Sequence, residues 1–333
     1  MTRLALVGAG GFGTHLAHAV DAHPTATLVA VADVDPTART EAAATFGLES
    51  DACFETDADC YEAADPDGVI VATPPALHLP QLRRALERDC HVLCEKPVVC
   101  DLAEARTLAA LADASEATVM AGYQRHLDPA FRAGYDRWHD GDAEPTFVTG
   151  ELTQNWHHHF ERGTDWRLDP DLGGRGHLFS VGTHVLESLL WMTGLTPERV
   201  TAQMTFYDDE RHIDTQAAVT IRFENGALAS LADTATAATE RERLRIWDDD
   251  GAFELSARDW DRPTATLIDA AGAESPLEVD HESARGTIDA FVDVIDAGAE
   301  PPATVTDVCR VSALLDAIYE AAETGDSVAV DRV

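Results

Sequence analysis

Two hydrophobic rhythms divide the chain. Up to about residue 122, short apolar runs alternate with segments of helical period. Leu4-Ala5-Leu6-Val7, Leu28-Val29-Ala30-Val31-Ala32, Val69-Ile70-Val71-Ala72, His91-Val92-Leu93-Cys94 and Thr118-Val119-Met120-Ala121 read as strands, with a short sixth near Cys53-Phe54. Between them, Leu16, Ala19 and Val20 recur at helical spacing, as do Leu79, Leu82, Ala85 and Leu86, and a further helix fits Asp101 to Ala112. Six strands alternating with helices predict an α/β domain built on a doubly wound parallel sheet.

After Gly122 the rhythm changes. Tyr123-Gln124-Arg125-His126 leads into an amphipathic helix ending near His139. Alternating strands then follow at 146–155, 199–207, 216–223, 227–231, 243–247 and 252–255, with Asn225-Gly226 and Asp250-Gly251 as hairpin turns. Helices fit 179–193, 286–297 and 306–324. The pattern predicts two domains, 1–122 and 123–333, the second α+β with an open, mostly antiparallel sheet.

The first apolar run leads directly into Gly8-Ala9-Gly10-Gly11-Phe12-Gly13, a G-x-G-x-x-G sequence that opens a helix. Glycines at Gly8, Gly10 and Gly13 meet three needs of a dinucleotide site: a tight turn, close backbone approach to the pyrophosphate, and close helix–sheet packing. Gly11 and Phe12 complete the loop. Asp33 ends the second strand 20 residues after Gly13, where a carboxylate takes the ribose hydroxyls. Its charge repels a 2′-phosphate and favours NAD, while Arg39 nearby keeps NADP open. Thr73-Pro74 ends another strand, and His78 lies in the first turn of the next helix, where it is either a cofactor neighbour or a structural histidine.

Composition sharpens the picture. Lys96, in Cys94-Glu95-Lys96-Pro97, is the only lysine among 333 residues. An ammonium can be tuned by its surroundings and a guanidinium cannot, so a lysine kept alone at a strand end is a candidate for proton chemistry. The formal net charge is −36 and the sequence pI about 4.4. Such a surface repels nucleic acid and anionic membranes. It also fits a halophilic protein working in a salt-rich cytoplasm, where a Debye length of roughly 3 Å screens the self-repulsion. The six cysteines form no C-x-x-C pair and no zinc pattern, so no metal is expected and reduced thiols in the cytoplasm are. No signal peptide and no membrane-length apolar run is read.

In order along the chain stand the glycine loop, Thr73-Pro74…His78, Glu95-Lys96-Pro97, Tyr123-Gln124-Arg125 and Gly173-Gly174…Gly182-Thr183-His184. Together they resemble the Gfo/Idh/MocA oxidoreductases over nearly the whole length. The resemblance implies a nicotinamide-binding Rossmann domain and a substrate domain whose sheet face also serves association into homodimers or homotetramers. It implies that Lys96 points at the reacting hydroxyl, often ahead of a cis proline, and that His184 is the acid/base. The family usually has an aspartate four residues before that histidine; here Ser180 stands there, one helical turn away. Glu187, a turn further, is either the orienting group of His184 or a surface acid.

Oxidising a carbinol needs a base for the hydroxyl proton and a donor for the oxygen as charge builds. His184 is assigned the first role and Lys96 the second, with Lys96 also a candidate proton shuttle if burial beside a cationic ring lowers its pKa. The cofactor set is completed by Glu95, Lys96, Gln124, Trp166 and Arg167. The substrate set is Lys96, Tyr123, Arg125, Trp156, His157, Ser180 and His184, for a small sugar, polyol or cyclitol. In Asn155-Trp156-His157-His158-His159, a strand would turn His157 and His159 to one face, as sugar contacts or as packed aromatics. Reduction of a carbonyl or imine, and a non-catalytic NAD-bound regulator, are the competing readings.

Overall fold

The computed structural model describes all residues except 142, 163–164, 209–211 and 260, and omits the side chain of Arg162. It divides into two compact units, Met1–Tyr123 with Arg285–Val308, and Gln124–Ala284 with Cys309–Val333. Residues 285–308 therefore return to the first unit.

The first unit runs β1 (Thr2–Val7), α1 (Gly11–Ala22), β2 (Ala26–Ala32), α2 (Pro36–Phe46), β3 (Cys53–Phe54), α3 (Asp57–Ala64), β4 (Gly68–Val71), α4 (His78–Leu86), β5 (His91–Cys94), α5 (Leu102–Asp113) and β6 (Val119–Ala121). The six strands form one sheet in the order β3-β2-β1-β4-β5-β6, every pair parallel. This is the expected doubly wound α/β sheet. β4 is buried at every position and β1 at all but Arg3, because helices cover both faces. The order reverses between β1 and β4, the switch point where such sheets bind ligands beyond their carboxyl ends. Local chemistry sets the helix limits. Asp35 caps α2 by accepting the Thr37 N–H, Pro36 opens it, and Gly47 closes it in the left-handed region. Asp101 caps α5 through the Glu104 N–H.

The second unit contains α6 (Pro129–His139), β7 (Phe147–Asn155), α7 (His157–Arg162), α8 (Thr183–Thr193), β8 (Pro197–Phe206), β9 (Asp214–Phe223), β10 (Leu228–Thr234), β11 (Thr236–Asp248), β12 (Gly251–Arg258), β13 (Thr264–Asp269) and β14 (Glu274–Leu277). The chain closes with α9 (Thr287–Ala297), part of the first unit, α10 (Val305–Thr324) and β15 (Val328–Ala329). Nine strands make one sheet, β14-β13-β12-β11-β7-β10-β9-β8-β15, antiparallel throughout except for β7–β10. α8 is buried along its whole length and packs on this sheet; at Gly150 an added Cβ would lie 3.3 Å from Val185 Cγ1. β9 alternates buried and exposed, leaving Gln216, Ala218, Thr220 and Arg222 on the open face.

Three strands escape the sequence pattern: β13, β14 and β15. All lie at or beside a sheet edge, where strands are short or polar and carry little hydrophobic signal. The triple-histidine run is a correction. It forms the start of α7, not a strand: the Trp156 carbonyl accepts the Phe160 N–H at 3.2 Å, and just ahead of the helix the Asn155 side chain accepts the His157 N–H at 3.1 Å.

Candidate active site

The glycine loop of the first unit is built for close approach. Gly8 has φ +93°, and a Cβ there would lie 2.7 Å from the Ala72 carbonyl oxygen. At Gly13 a Cβ would sit 1.9 Å from the Gly8 carbonyl oxygen, so only glycine lets α1 pack on the turn. Gly10 and Gly11 instead border open space, with nothing within 4 Å of a side chain placed there. Gly10 caps α1 without any side-chain hydrogen bond, so no side chain competes for the first amides of the helix. These features fit a pyrophosphate on the α1 N-terminus.

Asp33 lies at the end of β2. Its Oδ2 accepts the Ala9 N–H at 2.7 Å, its Oδ1 accepts the Asp35 N–H at 2.8 Å, and Arg39 Nη1 donates to its carbonyl at 2.6 Å. The large hydrophobic residues that stay exposed in this unit are, besides Met1, Phe12, Val34 and Leu77. One sits in the glycine loop, one after β2 and one after β4, all at the carboxyl edge of the sheet.

His78 is fully buried and ties two loops together. Its Nε2 lies 2.7 Å from the Thr73 carbonyl and its Nδ1 3.2 Å from the Val98 carbonyl. Burial pushes the His78 pKa down, against the opposing pull of those carbonyls. Thr73 Oγ1 donates to Gln81 Oε1 at 2.7 Å, so α4 holds the Thr73-Pro74 turn through two side chains. Glu95 is buried at the end of β5, its amide on the Val71 carbonyl, and Glu95 Oε2 accepts the Lys96 amide at 3.3 Å. The Lys96–Pro97 bond is cis. Gly122 donates to the Cys94 carbonyl at 2.7 Å, and Tyr123 is buried beside it in sequence.

In the second unit Gln124 opens a short 3-10 turn with Arg125. Arg125 pairs with Glu242, and its Nη1 donates to Ser188 Oγ at 3.4 Å. Trp166 and Arg167 form a single turn capped by Asp165, with the Arg167 guanidinium 4.5 Å from the Trp166 ring centre. Trp156 is 3 % exposed and donates from Nε1 to Gln154 Oε1 at 2.8 Å. It is a packed ring rather than an open platform, whereas His157 is exposed.

Ser180 and His184 are both buried. Ser180 lies in a π-helical turn, Leu178–Gly182, that runs into α8. The regular α-turn expected between the two is thereby replaced by a wider one, and π-turns of this kind occur often at functional sites. Glu187 is not a surface acid. It is 2 % exposed and pairs with His126 Nε2, whose ring stacks on Trp191 at 3.9 Å.

A buried polar cluster escaped the sequence pattern. His177 Nδ1 lies 2.7 Å from Asp233 Oδ2, and Asp214 accepts from the Leu178 N–H and from Tyr319 Oη. Burial, with Asp233 adding to it, raises the Asp214 pKa to about 7. These partners come from places 36 to 105 residues apart, so no local spacing marks them. Among the described residues, no cluster of three or more His, Cys, Asp or Glu could hold a metal ion, and no helix is long and apolar enough to cross a membrane.

Two family models match the chain. Residues 2–123 match the oxidoreductase family with an NAD-binding Rossmann fold, and residues 143–254 match the GFO/IDH/MocA C-terminal domain. A D-xylose 1-dehydrogenase (NADP(+)) of Haloferax volcanii is 27% identical over 278 residues, 80% of this chain and 81% of that one. An inositol 2-dehydrogenase of Rhizobium meliloti is 33% identical over 151 residues, 44% of each chain. The crystal structure of an aldose-aldose oxidoreductase from Caulobacter crescentus, complexed with glycerol, shares the fold with a TM-score of 0.86 at 22% identity, covering 98% of this chain and 99% of that one. With both of its units matched, the chain belongs to the Gfo/Idh/MocA family and is an NAD(P)-dependent oxidoreductase.

Proposed function

We propose that this protein oxidises a carbinol of a sugar or cyclitol, with Lys96 and His184 at the reacting oxygen. The observation that carries the reading is the sole lysine at the carboxyl end of β5, following a buried Glu95. That end of the sheet is where the glycine loop and Asp33 also lie. The named activities of the relatives, on xylose and on inositol, favour a polyhydroxylated substrate.

Gly10, Gly11 and the first amides of α1 hold the pyrophosphate, and Asp33 faces the adenosine ribose, in this reading. When bound, the nicotinamide supplies the hydride acceptor. His184 takes the hydroxyl proton at a ring nitrogen. Lys96 Nζ donates a hydrogen bond to the same oxygen as the carbonyl forms, which steadies the developing charge. Ser180 offers a hydroxyl that donates to or accepts from the substrate, but takes no proton at neutral pH. Gln124, Trp166 and Arg167 complete the cofactor set; Tyr123, Arg125 and His157 complete the substrate set, from which Trp156 drops out because its ring is buried against Gln154 and His177. The open face of the nine-stranded sheet is assigned to self-association as a dimer or tetramer.

The test is reduction of NAD and NADP by a panel of aldoses, inositols and uronic acids in molar salt. Turnover of one or more polyols supports the reading. A flat panel together with tight dinucleotide binding would replace it with a regulatory role.

A further inference from the structure

The cluster beneath the π-helical turn has a definite protonation pattern, and one ring fixes it. The Trp156 indole can only donate, so the oxygen of Gln154 is the atom that faces it, at 2.8 Å. The same oxygen lies 3.0 Å from His177 Nε2. Two groups therefore point at one acceptor, and Nε2 must carry a hydrogen. The other ring nitrogen, Nδ1, lies 2.7 Å from Asp233 Oδ2. A bare lone pair on Nδ1 facing a carboxylate oxygen at that distance would be repulsive, so a proton lies between them. The imidazole is fully buried, with Trp156 edge-on at 4.9 Å.

These bonds hold the turn by both ends. On the entry side, Gly176 adopts φ +119° and bridges to Asp214, whose Oδ1 accepts the Leu178 N–H at 2.8 Å. His177, between them, is fastened to β7 through Gln154 and to β10 through Asp233. On the exit side, Gly182 packs against the same Asp233, where an added Cβ would lie 3.0 Å from Oδ1 and 2.7 Å from Leu178 Cδ1. Ser180 stands in the middle of the held segment, and His184 begins two residues beyond it.

We infer that His177 is a positioning residue: with Gln154 and Asp233 it clamps the π-helical turn to two adjacent strands and so sets where Ser180 and His184 point. The catalytic consequence rests on the function proposed above. The clamp itself does not.

The role is one of geometry rather than of charge, and Asp233→Asn separates the two. With Nε2 hydrogenated by its bond to Gln154, a neutral His177 presents Nδ1 as an acceptor, and an asparagine amide can donate to it. Asp233→Asn thus keeps the clamp and loses the shared proton. His177→Leu loses both bonds. The whole protein would be compared in molar salt by proton and nitrogen NMR of its imidazoles and by steady-state kinetics.

A far-downfield Nδ1 proton is expected in the native protein and in neither variant. The ring resonances of His184 are expected to move in His177→Leu and to stay in place in Asp233→Asn. With His177→Leu, kcat is expected to fall roughly ten- to hundredfold at unchanged dinucleotide affinity, the scale of a small misplacement of reacting groups. Asp233→Asn should turn over like the native protein. If His177→Leu does not fold, Gly182→Ala, which presses on the same turn, should give the same loss. Unmoved His184 resonances with native kcat in the folded clamp variant would overturn the inference, as would an Asp233→Asn loss equal to that of His177→Leu. A native protein inactive on every polyol, yet showing the His184 shifts, would overturn the proposed function and leave the clamp standing.

Discussion

Asp33 Oδ2 accepts the backbone N–H of Ala9 at 2.7 Å, so the carboxylate that ends β2 also braces the glycine loop. Its second oxygen is held by the Asp35 amide at 2.8 Å. The group is fixed in place by two amides, and in the function proposed above its charge faces the 2′ position of the adenosine ribose. Arg39, donating to the Asp33 carbonyl at 2.6 Å, supplies the opposite charge next to it. Asp33→Ser should therefore raise the NADP to NAD ratio of kcat/KM roughly ten- to hundredfold, the equivalent of about 1.4–2.8 kcal/mol. Arg39→Ala should lower the same ratio. Kinetics with both dinucleotides check this, and a ratio that ignores both substitutions sinks it.

Lys96→Arg keeps a positive charge and removes a tunable amine. Turnover should fall by on the order of 10²–10³, the usual cost of displacing a donor aimed at the oxygen on which charge develops. The loss should appear in kcat, including single-turnover measurements, because the glycine loop and Asp33 are untouched. Native turnover in this variant would remove Lys96 from the reaction.

Asp214 gives a pH signature. Burial, reinforced by Asp233, raises its carboxyl from 3.8 to about 7 in the folded chain. Between those values the folded state holds a proton that the unfolded state has released. The stability linked to this proton is complete below about pH 4 and is lost as pH rises toward 7, by about 4 kcal/mol in all. Asp214→Asn stays neutral throughout and should flatten that part of the profile. Melting temperatures of both proteins across pH 4–8, at one high salt concentration, measure the difference; parallel profiles would contradict it.

The net charge of −36 predicts dependence on salt. Self-repulsion among exposed carboxylates weakens as the Debye length contracts to about 3 Å at molar ionic strength. The melting temperature should climb from low to molar salt, followed by circular dichroism. Equal melting temperatures at both extremes would end the halophilic reading.

Much of this molecule was legible in its sequence. The apolar runs around Leu4–Val7 and Val69–Val71 marked the parallel sheet because strands buried on both faces leave no polar positions. The glycine loop was legible because a sharp turn, a helix start and an acid 20 residues on all fall within one local βαβ unit. Lys96 stood out by being alone. Those signals are local or compositional, so they survive without coordinates.

What only the tertiary structure decided is who meets whom. Glu187, free on paper to be a surface acid, is buried against His126, 61 residues earlier. The histidine run after Trp156 starts a helix whose first turn closes on the Trp156 carbonyl, with the Asn155 side chain holding the His157 amide, bonds that hydrophobic period does not encode. Ser180 falls on a π-helical turn whose ends are gripped by Gln154 of β7, Asp214 of β9 and Asp233 of β10, the first and last of them through His177. A chain's periodicity reports which side of an element is buried. It carries no record of the partner waiting there, because that partner is brought in by the folding of distant strands.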